Sequence, residues 1–260
     1  YQIGRLILAN TPAEKIEEKI FDLVNQLNFG IELITKQKDK DELAGLNLMA
    51  GKKAKSSAAY NSALNYLELG IALLGETGWQ REYDLALSLH TSAAEAAYVN
   101  RNFARMEQLA EIVLKRGRNV LDKVRVTEVK ILAFSAQNKL GEAVNAGVEI
   151  LRELGVRLPA QPNRFHVWME LWRTKLALAG KQTSDLANLP PMSDATKLAA
   201  SSILVQITAP AYLTGSQLLP LISCQQVRLS LKYGFSGESA YGYACYGLIL
   251  CGVEIGRAHV

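Results

Sequence analysis

GKKAKSSAAYNSALNYLELGIALLG, residues 51–75, is the first of three loose copies of one pattern that runs on to Gly155. In this copy small residues stand at Gly51, Ala63 and Gly70, and a large one at Tyr60. In the second copy Ala94 takes the place of Gly51, Phe103 that of Tyr60, Met106 that of Ala63, Ala110 that of Leu67 and Val113 that of Gly70. The third copy reads Ile131, Leu140, Ala143, Gly147 and Ile150. Small side chains let two helices approach closely. The large residue, three positions ahead of the second small one, plugs the top of the pair. Such a pair cannot bury its own apolar face and must stack on neighbours. The pattern predicts a helical solenoid, a surface for binding rather than a pocket for chemistry.

The anchors Ala63, Met106 and Ala143 are 43 and 37 residues apart, against about 34 in a tetratricopeptide repeat. The tryptophan usual in that motif is absent, and longer helices or loops are implied. The stretch resembles a degenerate tetratricopeptide array, which implies an all-α, tetratricopeptide-like α-solenoid of stacked antiparallel helix pairs. Asn100-Arg101-Asn102 and Asn138-Lys139 read as turns inside the second and third pairs. Gly75 to Gly78, and Gly155 ahead of Pro159, read as helix ends.

Ahead of the repeats, Thr11-Pro12-Ala13-Glu14 reads as a helix start with Thr11 as cap and Glu14 closing a capping box. Ile16, Ile20, Leu23, Val24 and Leu27 then form one apolar stripe, with Glu14, Lys15, Glu17, Glu18 and Lys19 as a solvated face. Lys36 to Glu42 reads as a mixed-charge linker. After the repeats come a proline-containing loop from Leu158 to Arg164 and a helical stripe of Phe165, Trp168, Leu171, Trp172 and Leu176. Two tryptophans four apart are expected to be core anchors rather than a ligand cage. Lys181 to Pro191 reads as a loop, and Ser193 as the cap of the following helix. No charge falls between Leu198 and Val227, but Gln206, Gln217, Gln225, Gln226, Pro210, Gly215 and Pro220 break that run. Two buried helices joined near Thr214-Gly215-Ser216 are expected there rather than a membrane span. Ser239 to Val253 reads as a helix apolar nearly all round, whose Tyr243, Tyr246, Leu248, Ile249 and Leu250 cannot all face inward.

Of the 260 residues, 49% are hydrophobic and 21% charged, the make-up of a globular protein, and the formal charge of +4 is too mild and too dispersed to point to nucleic acid or a membrane surface. Cys224, Cys245 and Cys251 match no zinc or redox spacing, and such sparse use of cysteine suits a reducing cytoplasm. Chemistry is hard to find. Ala179-Gly180-Lys181-Gln182-Thr183 imitates a phosphate loop, yet Lys175 occupies the first glycine position and Gln182 follows the lysine. His90 and His166 are isolated. No catalytic, cofactor-binding or metal-binding residue is expected, and no cofactor. Lys52, Lys53 and Lys55, with Lys115, Arg116 and Arg118, could line a basic stripe for an acidic partner, but ordinary helix-surface cations are the expected reading.

Several strings are similar to one region of large bacterial hybrid signalling kinases: EEKIFDLVNQLN (Glu17–Asn28), ELAGLNLMAGKKAKSSAAY (Glu42–Tyr60), ALNYLELGIALLG (Ala63–Gly75), ILRELGVRLP (Ile150–Pro159) and LSLKYG with SAYGYACYGLILCGV (between Leu229 and Val253). In that family a serine/threonine kinase-like domain and an AAA/STAND-type ATPase precede a long helical-repeat region, and a GAF sensor and usually a histidine kinase follow it. The resemblance implies that this chain is the repeat region. It would be non-catalytic and cytoplasmic, would link the ATPase to the sensor, and would contact other domains of the same polypeptide and a protein or peptide partner, with no nucleic acid and no membrane. Its kinase and ATPase residues lie outside this chain, so no catalytic residue is carried over. The repeat arm of a STAND-type transcription activator and a stand-alone enzyme are the competing readings. The domain organisation expected is residues 1–41 as N-terminal helices and charged linker, 42–159 as three helix pairs, 160–253 as further solenoid helices, and 254–260 as a foreign tail. The chain begins at Tyr1 and so reads as a fragment, while Ile255-Gly256-Arg257-Ala258-His259-Val260 is what ATCGGAAGAGCACACGTC encodes, a string that resembles a sequencing adapter.

Overall fold

A computed structural model describes residues 2–159 and 161–258. Regular structure among them is helical, apart from one isolated bridge between Pro191 and Phe235. Two units divide the chain, Tyr1–Arg118 and Asn119–Val260. The division falls inside the 42–159 segment, between its second and third helix pairs.

In the first unit, α1 (Gln2–Asn10) closes on Thr11, whose hydroxyl donates to the Ile7 carbonyl at 2.6 Å. The threonine therefore finishes one helix instead of starting the next. The expected capping box at Glu14 is absent, and α2 (Ala13–Ile16) starts after Pro12 with no side-chain cap. The chain then re-enters helix as α3 (Ile20–Asn28), which buries Ile20, Leu23, Val24 and Leu27 as their spacing requires. Glu14, Lys15, Glu17, Glu18 and Lys19 are exposed.

The charged stretch expected to be a linker is helix from Gln37 onward, in α4 (Gln37–Ser56). Its charges tie helices together. Asp41 accepts from Nε and Nη2 of Arg81, both at 2.7 Å, and this bidentate contact holds its carboxyl below the usual carboxylate value. Gln37 donates to the Leu73 carbonyl at 3.1 Å. α4 and α5 (Tyr60–Leu74) form an antiparallel pair. After a short α6 (Gly78–Arg81), α7 (Tyr83–Val99) packs on both α5 and α4 and pairs in turn with α8 (Phe103–Arg116).

The turns inside these pairs share one geometry. Ala58 and Arg101 take left-handed φ values of 59° and 58°. The N–H of each donates three residues back, to Lys55 and Tyr98, and the next N–H reaches five back, to Ala54 and Ala97. This is a Schellman closure, usually made with glycine because other residues are strained there.

The second unit writes the same turn again. α9 (Val120–Ala136) opens on an Asn119–Asp122 capping box and pairs with α10 (Leu140–Glu153). Between them Asn138 has φ 59°, with bonds back to Ser135 and, one residue on, to Phe134. α11 (Arg164–Leu178) follows a loop, and the stretch expected to be a second loop contains α12 (Thr183–Ala187). α13 (Ala195–Leu213) is capped by Asp194 and not by Ser193: its carboxylate accepts from the N–H groups of Thr196 and Lys197. α13 packs on α10 and α9, as α7 packs on α5 and α4. Gly215, φ 64°, makes the same pair of turn bonds ahead of α14 (Leu218–Tyr233), and α15 (Ser239–Ala258) covers α14.

The core of this unit gathers Ile131, Leu151 and Leu154 with Ile203, Leu204 and Ile207. The uncharged 198–227 run is thus two helices folded into a core, and none of the described helices is long and apolar enough to cross a membrane. On α15, Tyr246 is buried while Leu248 and Leu250 are exposed. The backbone of 254–258 continues this helix, and residues 259–260 of the expected tail lie outside the described residues.

Candidate functional site

The small residues of the repeat pattern sit where helices touch. A Cβ on Gly51 would lie 2.5 Å from Leu67 Cγ and 3.3 Å from the Ala63 carbonyl oxygen, so α4 and α5 meet there. A Cβ on Gly70 would meet Leu89 at 2.6 Å and the Ala44 carbonyl at 3.3 Å, where α5 lies against α7 and α4. In the second unit, a Cβ on Gly147 would stand 2.2 Å from Ile207 Cγ2. Ala63, Ala94, Met106, Ala110 and Ala143 are all buried. Tyr60, Phe103 and Leu140 each open the second helix of a pair and are half-buried.

Lys53, Lys55, Arg118 and His90 have structural partners. Lys53 donates to the Glu17 and Glu18 carbonyls and lies over the Phe21 ring, and Lys55 pairs with Glu95. Arg118 lies over the Tyr83 ring at 3.7 Å. Burial pushes the Cys224 thiol up to about 11, which keeps it protonated and unreactive at neutral pH. No cluster of metal-ligating side chains occurs among the described residues.

His90 is buried, its Nδ1 2.8 Å from the Ala86 carbonyl and its ring 5.0 Å from that of Trp79. Burial lowers its pKa from 6.5, against the opposing effect of the Ala86 bond. The neutral ring is therefore favoured in the fold, and the unfolded chain takes up the proton first as pH falls. Its stabilising effect is complete above about 6.5 and is lost as pH drops below that value. Urea midpoints should fall between pH 7 and pH 5.5, and His90→Gln should flatten that slope. Parallel slopes in the two proteins would assign the pH dependence elsewhere.

An exposed aromatic face lies on α11, and it corrects the sequence expectation. Phe165, Trp168, Trp172 and Leu176 are not core anchors: they are 64%, 59%, 53% and 54% exposed. The rings form a ladder, Phe165 to Trp168 at 6.3 Å and Trp168 to Trp172 at 6.5 Å between centroids, the latter nearly parallel. The side of the helix that faces inward is mixed, with Glu170 and Thr174 beside Leu171 and Leu178. Thr174 is fully buried and donates to the Glu170 carbonyl at 2.8 Å. Glu170 pairs with Arg228 of α14 and with Arg173. Leu171 and Leu178 pack on the cluster of Cys224, Val227 and Tyr246. An ion pair and a threonine thus choose which face of α11 turns in, and the aromatic stripe is left outside. The start is set by Asn163, which accepts from the His166 N–H at 3.0 Å while its own N–H donates to His166 Nδ1.

Beside the ladder runs a groove of about 500 Å³, walled by Trp168, Leu171 and Trp172 on one side and by Pro220, Tyr246 and Leu250 on the other. Arg164 and Lys175 stand on the α11 wall, and none of the described lining residues is a carboxylate. Contiguous exposed apolar patches are, as a class, enriched at interaction sites. Nothing in it resembles an acid–base pair or a nucleophile with its base.

No family model matches the chain, and no solved structure matches it. It is similar to the hybrid signal transduction histidine kinase G of Dictyostelium discoideum, with 23% identity over 261 aligned positions. The alignment covers 89% of this chain but 8% of that protein, so the chain corresponds to a small part of the relative's length. The relative is eukaryotic, so this likeness bears on the hybrid-kinase part of the resemblance and not on its bacterial setting.

Proposed function

We propose that this chain is a non-catalytic, tetratricopeptide-like repeat segment of a multidomain signalling kinase. There it links an ATPase module to sensor and histidine-kinase modules, in the cytoplasm, through contacts with other domains of the polypeptide and with protein or peptide partners. The observation that carries the holding role is the exposed aromatic face of α11. Phe165, Trp168 and Trp172 are each more than half exposed, so each forgoes part of the roughly 1.5–3 kcal/mol that full burial of a large apolar side chain contributes, a loss that a bound partner recovers. The repeat reading is supported by the turn made alike at Ala58, Arg101, Asn138 and Gly215. It is also supported by the way α7 and α13 each rest on both helices of the pair before them. The signalling setting rests on the alignment to the hybrid kinase.

The test is titration calorimetry of the purified chain with Mg·ATP, together with a phosphate-release assay. Neither micromolar binding nor hydrolysis above the protein-free control is expected, because Lys181 has no glycine cradle of backbone N–H groups around it. Saturable ATP binding or turnover by this chain would replace the scaffold reading with an enzymatic one.

A further inference from the structure

We infer that the groove beside α11 takes an amphipathic helix bearing carboxylates, laid along the aromatic ladder with its acidic groups on Arg164 and Lys175. The inference rests on the holding role above and names the partner's chemistry.

Shape comes first. The cavity is a trough between α11, the start of α14 and α15, with Leu171 and Tyr246 lining it and Trp168, Trp172 and Leu250 on its sides. A trough of this kind is filled by a rod of side chains, as when an apolar helix face enters a hydrophobic groove.

Charge comes second. Arg164 and Lys175 are eleven residues apart on one helix, hence about 16 Å apart along its axis and nearly in line on one face. Neither cation has an ion-pair partner among the described residues, in contrast to Arg173 and Arg228, which hold Glu170. The only charges among the described lining residues are these two cations, so the described walls offer a guest positive charge alone. A guest helix with carboxylates eleven residues apart on the edge of a leucine stripe meets both cations at once, while the stripe covers the rings. Arg164 offers a planar fork suited to a carboxylate, and Lys175 a point charge.

The experiment uses the whole chain and a synthetic amphipathic peptide of about eighteen residues. The peptide has leucines at helical spacing and two glutamates eleven apart, and a twin carries lysines there. Binding is read from tryptophan fluorescence, which reports mainly on Trp168 and Trp172 because Trp79 is already buried. The glutamate peptide is expected to bind about tenfold more tightly than its twin at low salt, with the gap narrowing as salt rises. The double variant Arg164→Glu, Lys175→Glu should reverse the preference, and Trp172→Ala should abolish binding of both. All three sites are exposed, and unchanged helicity by circular dichroism confirms that the variants fold. Equal binding of the two peptides, or no reversal in the double variant, overturns the acidic-partner inference and leaves the holding role standing. A response to phosphatidylserine vesicles with none to either peptide overturns both.

Discussion

Ala63→Glu and Ala143→Glu are each expected to lower unfolding free energy by about 3–5 kcal/mol, because each buries a charge with no partner. Ala63 is fully buried where α5 crosses Gly51 of α4, and Ala143 is fully buried in the core of the second unit. Lys52→Glu is the control. Lys52 is exposed, and a change there should stay within about 0.5 kcal/mol. Urea denaturation followed by circular dichroism separates the cases. A loss of several kcal/mol is a large share of the roughly 5–15 kcal/mol that holds an ordinary domain together, so the glutamate variants should be partly unfolded or insoluble on expression. Equal midpoints for all three would show that Ala63 and Ala143 do not sit at the closest approach of paired helices.

Gly147→Ala should cost about 1–3 kcal/mol, and Gly141→Ala on the same helix should be neutral or stabilising by up to about 1 kcal/mol. Both glycines are helical, so alanine is the better helix former at both. What separates them is space. The new methyl at position 147 would stand 2.2 Å from Ile207 Cγ2, a branch of a fully buried side chain, with Ile131 and Ile203 at 3.5 Å behind it. At position 141 nothing lies within 4 Å. Relief would require α10 and α13 to part, which strips contacts from the centre of the core. Paired melts of the two variants measure this directly. If Gly147→Ala melts at or above the wild-type temperature, α10 and α13 do not make the close contact described.

The helical class was legible throughout, because each segment carries apolar residues at helical spacing. Sequence also located the turns at Asn100–Asn102 and Asn138–Lys139; at Asn138 asparagine itself takes the left-handed backbone that the closure needs, while at the other turn Arg101 takes it between two asparagines. The first turn was less visible, because its left-handed residue is Ala58. The linker reading of Lys36–Glu42 failed for a physical reason. Charge density says that a stretch is wet, but not whether it is helical, and the partner that orders Asp41 is Arg81, forty residues away. The aromatic face of α11 was misread because ring-bearing residues in helical register ordinarily face inward. Here the orientation is decided by Glu170, Thr174 and Arg228, and Arg228 lies fifty-four positions from Thr174. No local pattern on α11 records that contact.

The spacing of the side-chain ties in the first unit has a kinetic consequence. Arg5 to Glu42, Lys55 to Glu95, Arg81 to Asp41, Tyr66 to Asn25 and Arg105 to Glu68 all join residues 37 to 41 positions apart. Each therefore closes a loop of nearly the same length, at nearly the same entropic cost. Structure can then grow by one helix pair at a time, from wherever the first pair forms, and no late step has to wait for distant ends of the chain to meet. Amide protons of α4 and α5, each tied in both directions along the chain, should therefore exchange with solvent later than those of the short α2, which carries none of these ties.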